Sequence, residues 1–198
     1  MLLKRLVGKC EVDMKGVVLS ELVRFVELQF SPEAADTMIS KSQVASEGAY
    51  TSVGNYPHVE ALALIGALAE MTGKPAPELA EAYGYWLSSR FVELYPAMFA
   101  GYADVRSFLK DVDSKMHKEV KKLYEDANTP AVIAEIDGEA LNVVYSSHRP
   151  FADVAFGLVR GYVDYFKEPL VVERDSGDPG PHTAHFVLRK AERVGSSI

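Results

Sequence analysis

The chain has 198 residues, 48% of them hydrophobic and 25% charged, with a net charge of −7 and a single cysteine. That composition belongs to a folded globular domain, long enough to bury a substantial core and still enclose a cavity. The acidic balance argues against nucleic acid or an anionic membrane as partner. The lone Cys10 excludes an internal disulfide framework, and no apolar run approaches the roughly 18 residues of a membrane span. The opening Leu-Leu-Lys-Arg-Leu-Val-Gly lacks the continuous apolar region of about 7–15 residues that a signal peptide needs, so a cytoplasmic protein is expected.

Residues 1–13 read as a leader without an assigned role and 191–198 as a tail, which leaves 14–190 as the folded unit. Between Gly16 and Phe30, Val18, Leu19, Leu22, Val23, Phe25 and Val26 recur at helical spacing. Ser31-Pro32-Glu33 caps a second helix, and the polar, turn-rich stretch 41–57 reads as a loop. A third helix runs from His58 to Met71 and stops at Thr72-Gly73. Pro75 and Pro77 open a fourth, carrying Leu79, Tyr83, Trp86, Leu87 and Phe91 before Pro96. A fifth places Val105, Leu109, Val112, Met116, Val120 and Leu123 on one stripe and ends at Asn128-Thr129-Pro130. The period then changes from 3.6 to 2: Ala131–Ile136 and Glu139–Ser146 predict two strands joined at Asp137-Gly138. Pro150 to Phe166 predicts a helix, and Leu170–Arg174 and His185–Arg189 complete the sheet. Helices first, then strands with one helix packed among them, predict an α+β fold. A helical part covers about 14–75, and helices on a small antiparallel sheet cover about 76–190.

Two stretches carry chemistry. In an extended strand Tyr145, Ser147 and Arg149 point the same way, setting a phenol, a hydroxyl and a guanidinium in one row behind the apolar Leu141 and Val143. A planar fork of donors suits carboxylates, so a ligand there has an apolar body and an acidic edge. On the preceding helix His117 stands about 100° from Met116, at the shoulder of the apolar stripe. A histidine so placed is by itself more often a surface or capping residue than a ligand. His182-x-x-His185 has no cysteine or acidic partner at metal-binding spacing, and no nucleophile motif or phosphate loop appears.

Haem has an apolar body and an acidic edge, and histidine is its commonest protein ligand. The pairing of His117-x-x-Val120-x-x-x-Tyr124 with Tyr145-x-Ser147-x-Arg149 resembles the haem nitric oxide/oxygen-binding (H-NOX) domains of the bacterial stand-alone type. Met14-Lys15-Gly16 is similar to their usual start and Ala100-Gly101 also fits, so the resemblance runs from about Met14 to about Lys190. It implies haem b between the two parts of the fold, with His117 on the iron and Tyr145, Ser147 and Arg149 on the propionates. It further implies Met116 beside the ligand, Val18, Pro130 and Leu158 pressing on the porphyrin, Leu22, Leu87 and Val154 around the gas side, and Phe91 among the cofactor contacts.

The oxygen-binding relatives place a tyrosine nine residues after the first tyrosine of the motif, where this chain has Val154, and support it from the positions of Leu22 and Leu87. A hydrogen bond to charged bound oxygen is worth about 1.5–3 kcal/mol, or roughly 10- to 100-fold in affinity. Nitric oxide and carbon monoxide depend on it much less. The resemblance therefore implies a nitric oxide sensor that excludes stable oxygen binding and signals through release of His117 to a partner, a histidine kinase or a cyclic-di-nucleotide enzyme. Tyr83, Tyr85, Tyr162 or Tyr165 would change that expectation if one entered the pocket. A peroxidase-like or nitric oxide-consuming haem enzyme would require a distal acid–base group, which those positions do not offer. A haem-less interaction module would have no use for both His117 and Arg149.

Overall fold

The stretches with a 3.6-residue period fold as helices and those with a period of 2 as strands, in a computed structural model that describes residues 13–175, 177 and 180–191. The leader up to Val12, with Cys10, and the tail after Ala191 lie outside the described residues. Asp13 itself belongs to strand β1 (Asp13–Lys15), which pairs antiparallel with β2 (Asn55–Pro57), Met14 opposite Tyr56. The loop reading of 41–57 missed β2 because three residues are too few to display an alternation. Gly16 follows β1 directly. A Cβ there would collide with the Thr51 carbonyl oxygen, so glycine is what lets the first helix start under this ribbon.

Four helices build the N-terminal core: α1 (Gly16–Gln29), α2 (Pro32–Ser42), α3 (His58–Thr72) and α4 (Ala76–Leu94). Ser31 caps α2 by accepting the Ala34 N–H at 3.1 Å, and α3 ends at Gly73 in the left-handed conformation (φ 68°). Leu19, Leu22, Phe25, Met38, Leu64 and Leu68 are fully or nearly fully buried in this cluster. The short helix α5 (Pro96–Phe99) follows, so Pro96 starts a turn of helix as well as stopping α4.

The C-terminal half holds a four-stranded antiparallel sheet in the order β3-β4-β6-β5, made of β3 (Ala131–Asp137), β4 (Ala140–Ser146), β5 (Leu170–Arg174) and β6 (Thr183–Lys190). Its inner face offers Leu141, Val143 and Tyr145 from β4 and Ala184, Phe186 and Leu188 from β6. Helices α6 (Val105–Asp111) and α8 (Ala152–Tyr165) contribute to the same second core. The predicted α+β architecture is therefore what folds. The division expected near residue 75 falls just ahead of α4, whose Leu79, Tyr83 and Leu87 sit in the first core, while Phe91 packs against both.

The two halves meet along α4 and α8. Cβ atoms on Gly84 and Gly157 would run into the backbone of the facing helix, at the Val154 and Glu81 carbonyl oxygens respectively. This seam holds α8, and with it Val154 and Leu158, at a fixed distance from Leu87 and Phe91 on α4. Gly84→Ala is expected to destabilise the protein by about 1–3 kcal/mol through overpacking. Gly66→Ala, in α3 with nothing within 4 Å of the added carbon, should instead stabilise it by about 0.5–1 kcal/mol. Urea unfolding of the two variants checks both signs.

Candidate functional site

A cavity of about 310 Å³ lies between the two cores, drawing its walls from Ala61, Ile65 and Tyr83 of the first and Phe108, Val143 and Phe186 of the second. That volume is at the lower end of ordinary ligand pockets. Of the residues singled out in the sequence, α1 supplies Val18, α4 supplies Leu87 and Phe91, and α8 supplies Val154 and Leu158. Met116, His117 and Pro130 line the wall opposite, and Tyr145 and Arg149 close one end. Two are placed elsewhere. Leu22 is 1% exposed within the N-terminal core, outside the cavity wall, and Ser147 lies behind Tyr145 and Arg149.

Within β4 the alternation holds, with Leu141, Val143 and Tyr145 buried and Ser146 exposed. The extended row expected to continue ends at Ser146, and it is the bend after it that leaves His148 exposed and Arg149 buried. Arg149 is only 8% exposed. Its Nη1 donates to the Asp13 carbonyl at 3.0 Å and its Nη2 to the Asn128 carbonyl, and its backbone N–H donates to Ser147 Oγ at 3.1 Å. Burial pulls the guanidinium below its ordinary range, with nearby Tyr145 opposing. Burial likewise pushes the Tyr145 phenol up, against Ser147 and Arg149. Ser147 thus supports the row from behind, through its hydroxyl and through its N–H to the His182 carbonyl at 2.9 Å.

The helix expected to run unbroken through Leu123 is interrupted. After α6 comes a π-helical turn, Val112–Met116, and then α7 (His117–Leu123). The His117 N–H bonds to the Val112 carbonyl, five residues back. That wider turn brings His117 beneath Val112, so both line the cavity, and the shoulder position read from an ideal wheel becomes a wall position. Its side chain is 16% exposed, and its Nδ1 lies 3.3 Å from Asp113 Oδ1. Burial lowers the imidazole's proton affinity and Asp113 partly restores it. No residue from Val112 to Leu123 is fully buried.

Lys15 and Tyr124 belong to the motifs, but the contacts by which they fasten the end of α7 carry no signal in the sequence. Lys15, on the cavity wall, pairs with Asp126 at 2.5 Å and sits over the Tyr124 ring at 5.2 Å. Asn55 also donates to Asp126, and the Tyr95 and Tyr124 hydroxyls meet at 3.3 Å. Such contacts link residues far apart in sequence and leave no local pattern to read.

Comparison with known proteins agrees with this geometry. The family model for haem-NO-binding domains matches residues 15–174. The chain belongs to the H-NOX family. The CO-ligated ferrous H-NOX of Shewanella woodyi, solved with IWP-051 bound, is 33% identical, with a TM-score of 0.76 over 93% of this chain and 98% of its own. The unliganded ferrous H-NOX of K. algicida is 28% identical, with a TM-score of 0.82 over 92% of this chain and 99% of its own. The nitric oxide complex from S. oneidensis, 19% identical with a TM-score of 0.80 over 89% of this chain and 98% of its own, shares the fold. Comparison with the curated proteins found no match. Membership makes the chain a haem-binding gas-sensor domain rather than an enzyme. Among the described residues no helix is long and apolar enough to cross a membrane.

The residues of this cavity fit a haem: an imidazole on one wall, a buried guanidinium and a phenol at one end, and apolar side chains elsewhere. His117→Ala should bring the haem content of the purified H-NOX protein to background, with added imidazole restoring it, as read from the absorption spectrum. Arg149→Ala removes charged donors from two carbonyls and should lower the stability of the haem-free protein by about 1.5–3 kcal/mol, measured by urea unfolding.

Proposed function

We propose that this H-NOX protein senses nitric oxide in the cytoplasm, also binds carbon monoxide, and does not bind oxygen stably. When bound, haem b supplies a ferrous iron with one position open to a diatomic gas. On this reading His117 holds the iron from one side, and Tyr145 and Arg149, backed by Ser147, hold the propionates. Val18, Pro130 and Leu158 bear on the macrocycle, Leu87 and Val154 line the gas side with Leu22 behind them, and Phe91 adds to the apolar lining.

The observation that carries the oxygen exclusion is the state of Tyr83. Of the four tyrosines that would matter, Tyr83 and Tyr162 line the cavity, whereas Tyr85 and Tyr165 are exposed. Tyr162 packs against the Phe99 and Phe108 rings, on the α6 side. The Tyr83 hydroxyl donates to the Val18 carbonyl at 2.5 Å. The phenol nearest Val18 and Leu87 is thus already engaged, and Val154 has no donor to replace it.

Signalling on this reading is a movement of α7 once His117 is released. The segment from Val112 to Leu123 has no fully buried residue, and it is held at its far end by the Lys15–Asp126 pair and the Tyr95–Tyr124 contact. An element so lightly packed shifts between positions for a small difference in free energy. A histidine kinase or a cyclic-di-nucleotide enzyme would receive the signal. Structures of H-NOX relatives with nitric oxide and carbon monoxide on the ferrous protein support the choice of gases.

The haem-loaded, reduced protein is expected to show no oxygen complex in air, and to give with nitric oxide a spectrum in which His117 no longer ligates the iron. A persistent oxygen complex overturns the reading. Val154→Tyr should raise oxygen affinity by about tenfold, less than a fully supported phenol would, because Leu22 and Leu87 offer it no partner; equilibrium gas titration measures this.

A further inference from the structure

We propose that Asp113 is a positioning residue for His117, taking up its Nδ1–H so that Nε2 faces the iron. This rests on the reading of His117 as haem ligand and adds a second residue to that side of the site. The geometry is specific. The π-helical turn of Val112–Met116 carries Asp113 on its first residues and delivers His117 just past its end. The Asp113 carboxylate reaches Nδ1 at 3.3 Å from the solvent side, being 54% exposed where His117 is 16% exposed. His117 thus has a carboxylate at its Nδ1 and also lines the cavity.

The neighbouring acids have other partners. Asp111 accepts from Lys115 at 2.6 Å and from the Tyr102 hydroxyl at 3.0 Å, and Glu119 accepts from Lys122 at 2.5 Å. Asp113 is the carboxylate that meets the imidazole. A hydrogen bond from Nδ1–H fixes the tautomer, because only the nitrogen without a proton can bind iron, and a charged acceptor makes that nitrogen a stronger donor to the metal. Asp113 thereby sets how firmly the link that must be released is held.

The test uses the haem-loaded, reduced protein as wild type, Asp113→Asn and Asp113→Ala, with resonance Raman of the iron–imidazole stretch and haem loss to excess apomyoglobin. The stretch should fall in the order Asp, Asn, Ala, because the amide oxygen is a neutral acceptor and alanine offers none. Haem loss should quicken by about tenfold or more in the alanine variant. An exposed side chain removed from a surface turn leaves folding intact, which thermal unfolding of the haem-free variants confirms. If wild type shows the iron–imidazole band and both variants match it in frequency and haem loss, the role of Asp113 is overturned while the haem ligand stands. If wild type lacks that band, the assignment of His117 falls and this inference with it.

Discussion

A buried guanidinium holds the mouth of this site together. Arg149 follows β4 and donates to the carbonyl of Asp13 in β1 and to that of Asn128, just past α7. One side chain therefore joins the first strand, the end of the histidine helix and the sheet. Taking such a charge out of water costs several kcal/mol unless hydrogen bonds meet it. Carbonyl oxygens satisfy donors but carry no net charge, so the positive field at this end of the cavity favours an anionic edge on whatever occupies it. The overall charge of −7 sharpens the point: a ligand with carboxylates is repelled in general and welcomed locally, which fixes its orientation as well as its affinity.

Around that fixed end the two walls differ in stiffness. Along α4 and α8 the glycines at 84 and 157 bring backbone against backbone, and Leu87 and Val154 ride on this seam. Close-packed interiors move as discrete alternatives rather than by gradual yielding. The opposite wall, from Val112 to Leu123, has no fully buried residue and is fastened mainly through polar contacts at its far end. A sensor needs this asymmetry. On the proposed reading the rigid wall preserves the shape that selects the gas, and the lightly held one turns a change at His117 into displacement. The contacts of Lys15 with Asp126 and Tyr124 lead from the second wall to the β1–β2 ribbon and so into the N-terminal half.

How much of this could be read from the sequence depends on the range of the interactions. The alternation that sets Leu141, Val143 and Tyr145 facing inward is a property of consecutive residues, and it survives folding, whereas Arg149 turns inward from a bend past the strand's end. The Ser31 cap and the Gly73 stop survive as well. The π-helical turn does not announce itself, because Val112–Met116 has the apolar spacing of an ordinary helix. The β1–β2 pair is too short for a period, and its hydrogen bonds join residues about forty apart. Leu22 shows the limit of counting by fours: it lies one turn beyond Val18 on α1, yet only Val18 reaches the cavity. A helical period tells which face is apolar, not how deep in that face a cavity begins.

On the proposed reading, the same distinction keeps Tyr83 from serving as an oxygen-binding phenol although it lines the chamber. Its ring packs in a three-ring cluster with Phe25, at 5.6 Å between centroids, and Trp86, at 6.5 Å, which also meet each other at 5.7 Å. These contacts belong to the N-terminal core and set where the hydroxyl points before any ligand arrives. Turning it toward a gas would break its bond to the Val18 carbonyl and disturb two aromatic contacts, each worth about 0.5–1.5 kcal/mol. A hydrogen bond to bound oxygen returns only about 1.5–3 kcal/mol, so little or nothing is gained by the exchange. On that reading, oxygen discrimination rests on the core around Tyr83 as much as on the valine at 154.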